Sequence, residues 1–324
     1  MNFIGIETYN PAEVTFPDKV NKLLIVNNSV AQPEDWGYEL TIQGKEQGGN
    51  KVKADSALLE ACRSLGSAIV DASFFNDVLL YNKAVRQDKN AHLDTKLTAE
   101  QVEALCEETG TDAIISIDRL LFDMKKEVTD LGVYVTGMID VKMAGVVRSY
   151  VSGRELPLTT IHLNDSTMWG ESAENQTVLN KILPSPEDAL KASGEYFGLK
   201  LYANFVPHWQ KETRWYFTGM GSRWKEASAY AEKEKWAEAE ARWNAIYKNA
   251  ENWNPRSRAA SNLALCNEMK GDLVKALEWA TISYNLFKEN KGNKEYTDFM
   301  EVYVKVLTER IRSDKKLNIQ FGKE

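Results

Sequence analysis

WKEASAYAEKEKWAEAEARWNAIYKNA (224–250) and AASNLALCNEMKGDLVKALEWATISYNLF (259–287) are one helical hairpin written twice. In the first, Ala227, Tyr230 and Ala231 fall on one helical face and a break follows at Glu234–Lys235. Trp236, Ala239, Trp243, Ile246 and Tyr247 then line the face of a second helix. In the second copy, Leu263, Ala264 and Cys266 face inward, Gly271 and Asp272 make the turn, and Leu273, Ala276, Leu277 and Ala280 resume the pattern. Setting Ala276 on Ala239 gives an offset of 37 residues, which also superposes Ala264 on Ala227 and Leu273 on Trp236. Small residues let the paired helices approach closely, while Trp236 and Leu273 fill the space after each turn. Self-similarity at this period marks a stacked helix-turn-helix array, with an ordinary antiparallel bundle as the alternative.

The pair resembles tetratricopeptide repeats, whose period is about 34 residues. Three further residues fit in the linker Glu251–Pro255, where Pro255 stops one hairpin and precedes the next. That resemblance implies a groove on the first helices of each pair, which in some members clamps a peptide's terminal carboxylate with Lys and Asn. Asn262 matches the clamp's asparagine, and Arg258 lies one turn before it on the same face. Trp224 and Ser228 stand where the first repeat would offer Lys and Asn, and Asp298 is acidic where the third would want a base. The clamp is incomplete, so structural packing is favoured over peptide capture. If the array does bind a partner, the expected contact patch is Trp224, Arg258 and Asn262, with Trp224 as aromatic anchor.

The text upstream is different. Lys22–Asn28 is a short β-branched run ending in turn formers, hence a strand. Residues 31–49 read as a surface loop, and 52–72 as a long amphipathic helix carrying Leu58, Leu59, Cys62, Leu65, Ile69 and Val70. Val78–Tyr81 is the next strand. Thr98 and Gln101 form a capping box for a helix that Gly110 closes. Strands follow near 112–128, 134–141, 146–151 and 158–163, and residues 168–182 read as loop. The order β-α-β-α-β then meander predicts a mixed sheet, partly parallel, with helices on one face. Ser185-Pro186-Glu187-Asp188 opens a helix to about Asn204, expected to join the sheet to the array. A last helix at 296–311 caps the repeats, and the tail beyond it is frayed or a short strand. The fold class is therefore α+β: a sheet domain over 1–183, a linker helix and junction over 184–222, and helical repeats over 223–324.

Composition sets limits on function. The 324 residues are enough for two cores, and a net charge of −7 argues against a general nucleic-acid surface. No run approaches the roughly 20 apolar residues of a spanning helix. Cys62, Cys106 and Cys266 are scattered within helices and read as buried small hydrophobes, so neither a disulfide nor a metal site is expected. His92, His162 and His208 lack ligand spacing, and His208 is expected to pack at the domain junction. Asp112, Asp118 and Asp123 with Arg119 suggest an acid–base cleft; the blander reading has Asp112 capping a turn and the others on a solvated strand face. Thr218-Gly219-Met220-Gly221-Ser222 invites a phosphate-loop reading, but it lacks a preceding strand and a Lys-Ser/Thr ending. It reads as a flexible entry to the repeats with Ser222 as cap.

The opening strand LLIVNN (23–28), the long helix after it and TAEQVEALCEETGTDAIISID (98–118) resemble the N-terminal domain of the Tol-system periplasmic protein and the related domain of curli-secretion lipoproteins. Coupled to ANFVPHW (203–209), Arg214-Trp215-Tyr216 and the two hairpins, nearly the whole chain resembles a family of bacteroidete lipoproteins. That resemblance implies a secreted protein, periplasmic or at the outer membrane, lipid-anchored through a cysteine just upstream of residue 1. A cytoplasmic protein would share the same first residues, which show no signal-peptide pattern. The expectation is a non-enzymatic envelope adaptor or scaffold that binds a protein or peptide and needs no cofactor. The alternative is an envelope hydrolase or carbohydrate-active protein with its site in the sheet domain.

Overall fold

Residues 1–323 are described by a computed structural model. In chain order the elements are β1 (Asn2–Asn10), β2 (Lys22–Asn27), β3 (Glu39–Ile42), β4 (Lys45–Gln47), α1 (Asp55–Asp71), β5 (Asp77–Tyr81) and α2 (Ala99–Thr109). Then come β6 (Ala113–Asp130), β7 (Val135–Val151), β8 (Thr159–Ala173), α3 (Gln176–Ile182), α4 (Pro186–Phe205) and β9 (His208–Tyr216). Five helices end the chain: α5 (Ser222–Ala231), α6 (Trp236–Asn249), α7 (Trp253–Met269), α8 (Leu273–Glu289) and α9 (Lys294–Gln320). Two compact units divide them, Ala12–Pro207 and a second made of Met1–Pro11 with the chain from His208 onward.

The first unit is a seven-stranded mixed sheet. β2 pairs in parallel with β5 and with the start of β6, as two helical crossovers require. The far part of β6 carries β3, and its other edge pairs antiparallel with β7, which pairs with β8. Helices cover both faces, not one. Leu23, Ile25, Ala113, Ile115 and Ile117 pack under α1 and α4, while Leu24, Val26 and Ile114 turn to α2. Strand alternation in continuously apolar runs dictates this, because a run without polar positions leaves two faces to cover. The capping box at Thr98 and the left-handed Gly110 that ends α2 (φ 66°) are present.

Two polar stretches are more ordered than their composition suggests. Residues 168–182 hold the end of β8 and then α3, not a loop. Half-buried Ile161, Leu163, Thr167 and Trp169 alternate with exposed His162, Asn164, Ser166 and Met168, so pairing with β7 makes a strand of a polar text. Residues 31–49 include a short 3-10 turn and the β3–β4 hairpin.

α4 belongs to the sheet unit. Its Ser185 side chain caps Asp188 N–H and Pro186 opens the first turn. Glycines bring it onto α1: a Cβ at Gly198 would lie 2.1 Å from Ser64 Oγ and 2.2 Å from Ala61 O, and one at Gly194 2.2 Å from Ala57 O. Gly198→Ala is expected to destabilise by about 1–3 kcal/mol, since backbone cannot yield as a side chain can. Equilibrium urea unfolding checks this, and an unchanged midpoint would contradict the packing.

The second unit begins with a two-stranded antiparallel ribbon in which all nine residues of β1 face β9, from Asn2↔Tyr216 to Asn10↔His208. Two helical hairpins, α5–α6 and α7–α8, follow with α9. Ala227, Ala239, Ala264 and Ala276 are all fully buried, so the small positions of the 37-residue offset do bring helices together. Among the described residues no strand lies within 224–310. The expected boundaries therefore shift: residues 1–11 go with the helices, and 184–222 is no separate junction. Its first part is α4 on the sheet unit and its second is β9 on the helical unit. The cause is non-local, since β9 completes its ladder with a strand some 200 residues earlier. The tail is helical, because α9 runs on to Gln320.

Candidate functional site

The face of the array where a peptide was expected is filled by the chain itself. Arg214 of β9 donates from Nε and Nη2 to Glu268 Oε1 on α7, at 3.1 and 3.0 Å. Tyr303 of α9 donates to Glu268 Oε2 at 2.6 Å, and Arg310 also donates to this carboxylate. Trp215 packs its ring 5.1 Å from Phe299 and 5.3 Å from Tyr303. Burial, with the Glu268 charge beside it, raises the Tyr303 hydroxyl well above the ordinary tyrosine range.

Asn262 is consumed in the same way. Its Oδ1 accepts from Phe217 N–H at 2.7 Å and its Nδ2 donates to Phe217 O at 2.8 Å, with the residue wholly buried. The expected partner contact at Asn262 is thus corrected. A primary amide matches the N–H and carbonyl of one backbone residue with an acceptor and a donor, and the residue it meets is the chain's own Phe217.

Trp224 and Arg258 remain together at the surface. They line a cleft of about 610 Å³ with Thr218, Gly219, Met220, Gly221 and Asn252–Pro255. A second cleft of about 310 Å³ shares Gly221, Trp224 and Pro255 with it. Gly219 permits the close seat of Trp224, because a Cβ there would sit 2.6 Å from the indole. The guanidinium carbon of Arg258 lies 5.6 Å from the ring centres of both Phe217 and Tyr296, a double cation–π contact that fixes its direction. Its Nε is buried without a hydrogen-bond partner. Met220 stands 96% exposed at the rim. Gly221, not Ser222, is the N-cap of α5, and neither it nor Asn252 before α7 offers a side-chain cap.

The acidic set does not form a cleft. Asp112 accepts from the N–H groups of Asn21 and Lys22 and so caps the start of β2; Asp123 is exposed. Asp118, expected on a solvated face, is fully buried instead, a correction. It sits at an irregularity in the β6–β7 register and takes bonds from Ser116 Oγ (2.5 Å), Asn28 Nδ2 (3.0 Å) and Arg148 Nη1 (2.6 Å). Segment 92–97 covers it: Arg148 holds Asp94 through its carbonyl and its carboxylate, both at 2.9 Å. Asn28 donates to Thr95 O, Arg119 to His92 O, and Leu97 N–H to Tyr150 Oη. Covered by backbone, Asp118 cannot meet a substrate without that segment moving.

Burial pushes the Asp118 carboxyl up, with Ser116, Asn28 and Arg148 pulling against it. At Asp94 burial also pushes up, but the hydrogen bonds and charge of Arg148 outweigh it and hold the group below the ordinary 3.8. A depressed folded value means stability that is present above the unfolded carboxylate value and lost as pH falls through the folded one. NMR titration of Asp94 should therefore show a midpoint below 3.8, and Asp94→Asn should flatten that acid limb of the stability curve. A midpoint at or above the ordinary value would contradict the Arg148 contact.

The cysteines are unpaired and buried; burial pushes Cys62 up to about 12. His92 lies with its ring 4.6 Å from Trp36, His162 is exposed on β8, and His208 pairs in register with Asn10 of β1. Among the described residues no cluster of His, Cys, Asp or Glu could hold a metal ion, and no helix is long and apolar enough to cross a membrane.

Fold and clefts together define a two-unit α+β protein: a mixed sheet unit followed by a helical one that packs around its own strand ribbon. The chain belongs to the family described as Domain of unknown function (DUF8603), which matches residues 20–217. A second family, Domain of unknown function (DUF6340), matches residues 225–309. No curated protein matches the sequence. Among solved structures, a PelC dodecamer from Paraburkholderia phytofirmans aligns at 8% identity and a TM-score of 0.25, over 64% of this chain and 100% of that one.

Proposed function

We propose that this protein is a non-enzymatic adaptor or scaffold of the cell envelope, built on tetratricopeptide-like hairpins, that takes a protein or peptide segment in the cleft beside Trp224 and Arg258. The observation that carries this reading is Arg258, aimed by two aromatic rings at a cleft and paired with no carboxylate among the described residues. Aromatic and arginine side chains dominate interface energetics, and here both are pre-ordered. What weighs against the hydrolase reading is that Asp118 and Glu268, the buried acids, are enclosed by their own arginines. The envelope setting rests on the sequence resemblance.

A photo-crosslinking residue at Met220, exposed at the rim, tests the reading in the native cells. The expected result is a discrete adduct with an envelope protein that weakens when Arg258 is replaced by Met. Adducts confined to soluble cytoplasmic proteins, or unchanged by Arg258→Met, would remove it.

A further inference from the structure

The chain carries 47 acidic against 40 basic residues. Yet neither cleft beside Trp224 has a carboxylate in its lining: the wider offers Thr218, two glycines, Met220, Trp224, Asn252, Trp253, Asn254, Pro255 and Arg258, and the narrower adds Arg223 and Asn249. We infer that the segment filling this cleft is an acidic peptide, its carboxylate on Arg258 and its backbone beside the asparagines; this rests on the adaptor reading and gives the partner's chemistry.

Four features support it. The buried Nε of Arg258 has no partner, so the guanidinium is desolvated in part without an anion to compensate it. Phe217 and Tyr296, edge-to-face to one another and each with its ring centre 5.6 Å from the guanidinium carbon, hold the group beside the cleft, and its terminal N–H groups, bonded to nothing in the described chain, can grip a carboxylate bidentately. The side-chain amides of Asn252 and Asn254 are not engaged within the described chain. Asn262 shows in this same unit how such an amide holds the backbone N–H and carbonyl of one residue by both its groups. That pairing favours a peptide over an acidic glycan. The uncapped first turns of α5 and α7 add to the preference for negative charge.

The place differs from the groove of a carboxylate clamp, because Asn262 is closed off by Phe217 and that face is filled by the buried Glu268 with Arg214 and Arg310.

The test is to pan a random peptide display library against the full chain and measure the selected peptides by fluorescence anisotropy. The selected peptides should be enriched in Asp and Glu. Their affinity should fall about tenfold to a hundredfold in Arg258→Met, as for loss of a charged hydrogen-bond pair. Met220→Glu, at a side chain open to solvent, should weaken them about threefold by repulsion without touching the fold. Acidic peptides that bind both variants as well as the wild type would overturn the inference. So would selection of neutral or basic peptides that a Met220 crosslink blocks, although the adaptor reading would then survive. Binding of an oligouronate with no acidic peptide would overturn it too, and a library that yields nothing would take the adaptor reading down as well.

Discussion

Glu268→Ala is expected to destabilise the helical unit by about 3–5 kcal/mol, the cost of removing one partner from a buried ion pair. Glu268 has no exposed side-chain surface, Arg214 only 6%, and Arg310 is also largely covered. Deleting the carboxylate leaves Arg310 without its anion, leaves buried Arg214 with only the partly exposed Glu212, and leaves Tyr303 without its acceptor. The effect should concentrate where β9 meets α7 and α9, since this carboxylate is their common point. Seven of the nine tryptophans lie beyond residue 207, so fluorescence-monitored urea unfolding reports chiefly on this unit. A loss below about 1 kcal/mol would mean that the cluster is solvated and that the ribbon is held by apolar packing alone. Glu268→Gln should be intermediate, because an amide keeps the acceptor for Tyr303 and loses the charge.

The second large effect lies in the sheet unit. Arg148→Met is expected to cost about 3–5 kcal/mol, because Asp118 would remain buried and uncompensated. It should also loosen residues 92–97, which Arg148 ties down by two contacts to Asp94 while a third holds Asp118. Hydrogen exchange separates the two consequences: amides near Asp94–Leu97 should exchange faster, while α1 and α4 keep their protection. Adding Asp118→Leu to Arg148→Met should recover at least part of the loss, since a paired apolar replacement removes the orphaned charge. If the double variant were less stable than the single one, Asp118 would be stabilising the fold through groups other than Arg148.

Most helices were legible because their signals are local. The Thr98 capping box and the Ser185-Pro186 start depend on neighbours within a few residues and the 37-residue offset on two short patterns each readable by itself, and all three recur in the fold. β8 was half hidden, because an edge strand with one polar face carries little apolar text and is defined by its pairing with β7. Asp118 was misread for a related reason. Its alternation put it on the right strand face, but nothing local says that residues 92–97 return to cover that face.

The candidate site shows the same division. Trp224 and Arg258 were picked out by helical spacing and do share a cleft, although the loop 218–221 that completes it is brought there by β9. Asn262 was picked by the same spacing and turned inward, because Phe217 reaches it across 45 residues. Thus the sequence by itself determined where helices begin, where they turn, and which small residues let them touch, since these follow from periodicity and capping. Only the tertiary structure decided which polar side chains stay free. A buried amide or carboxylate must find a partner, and for Asn262, Glu268 and Asp118 the partner came from a distant part of the same chain.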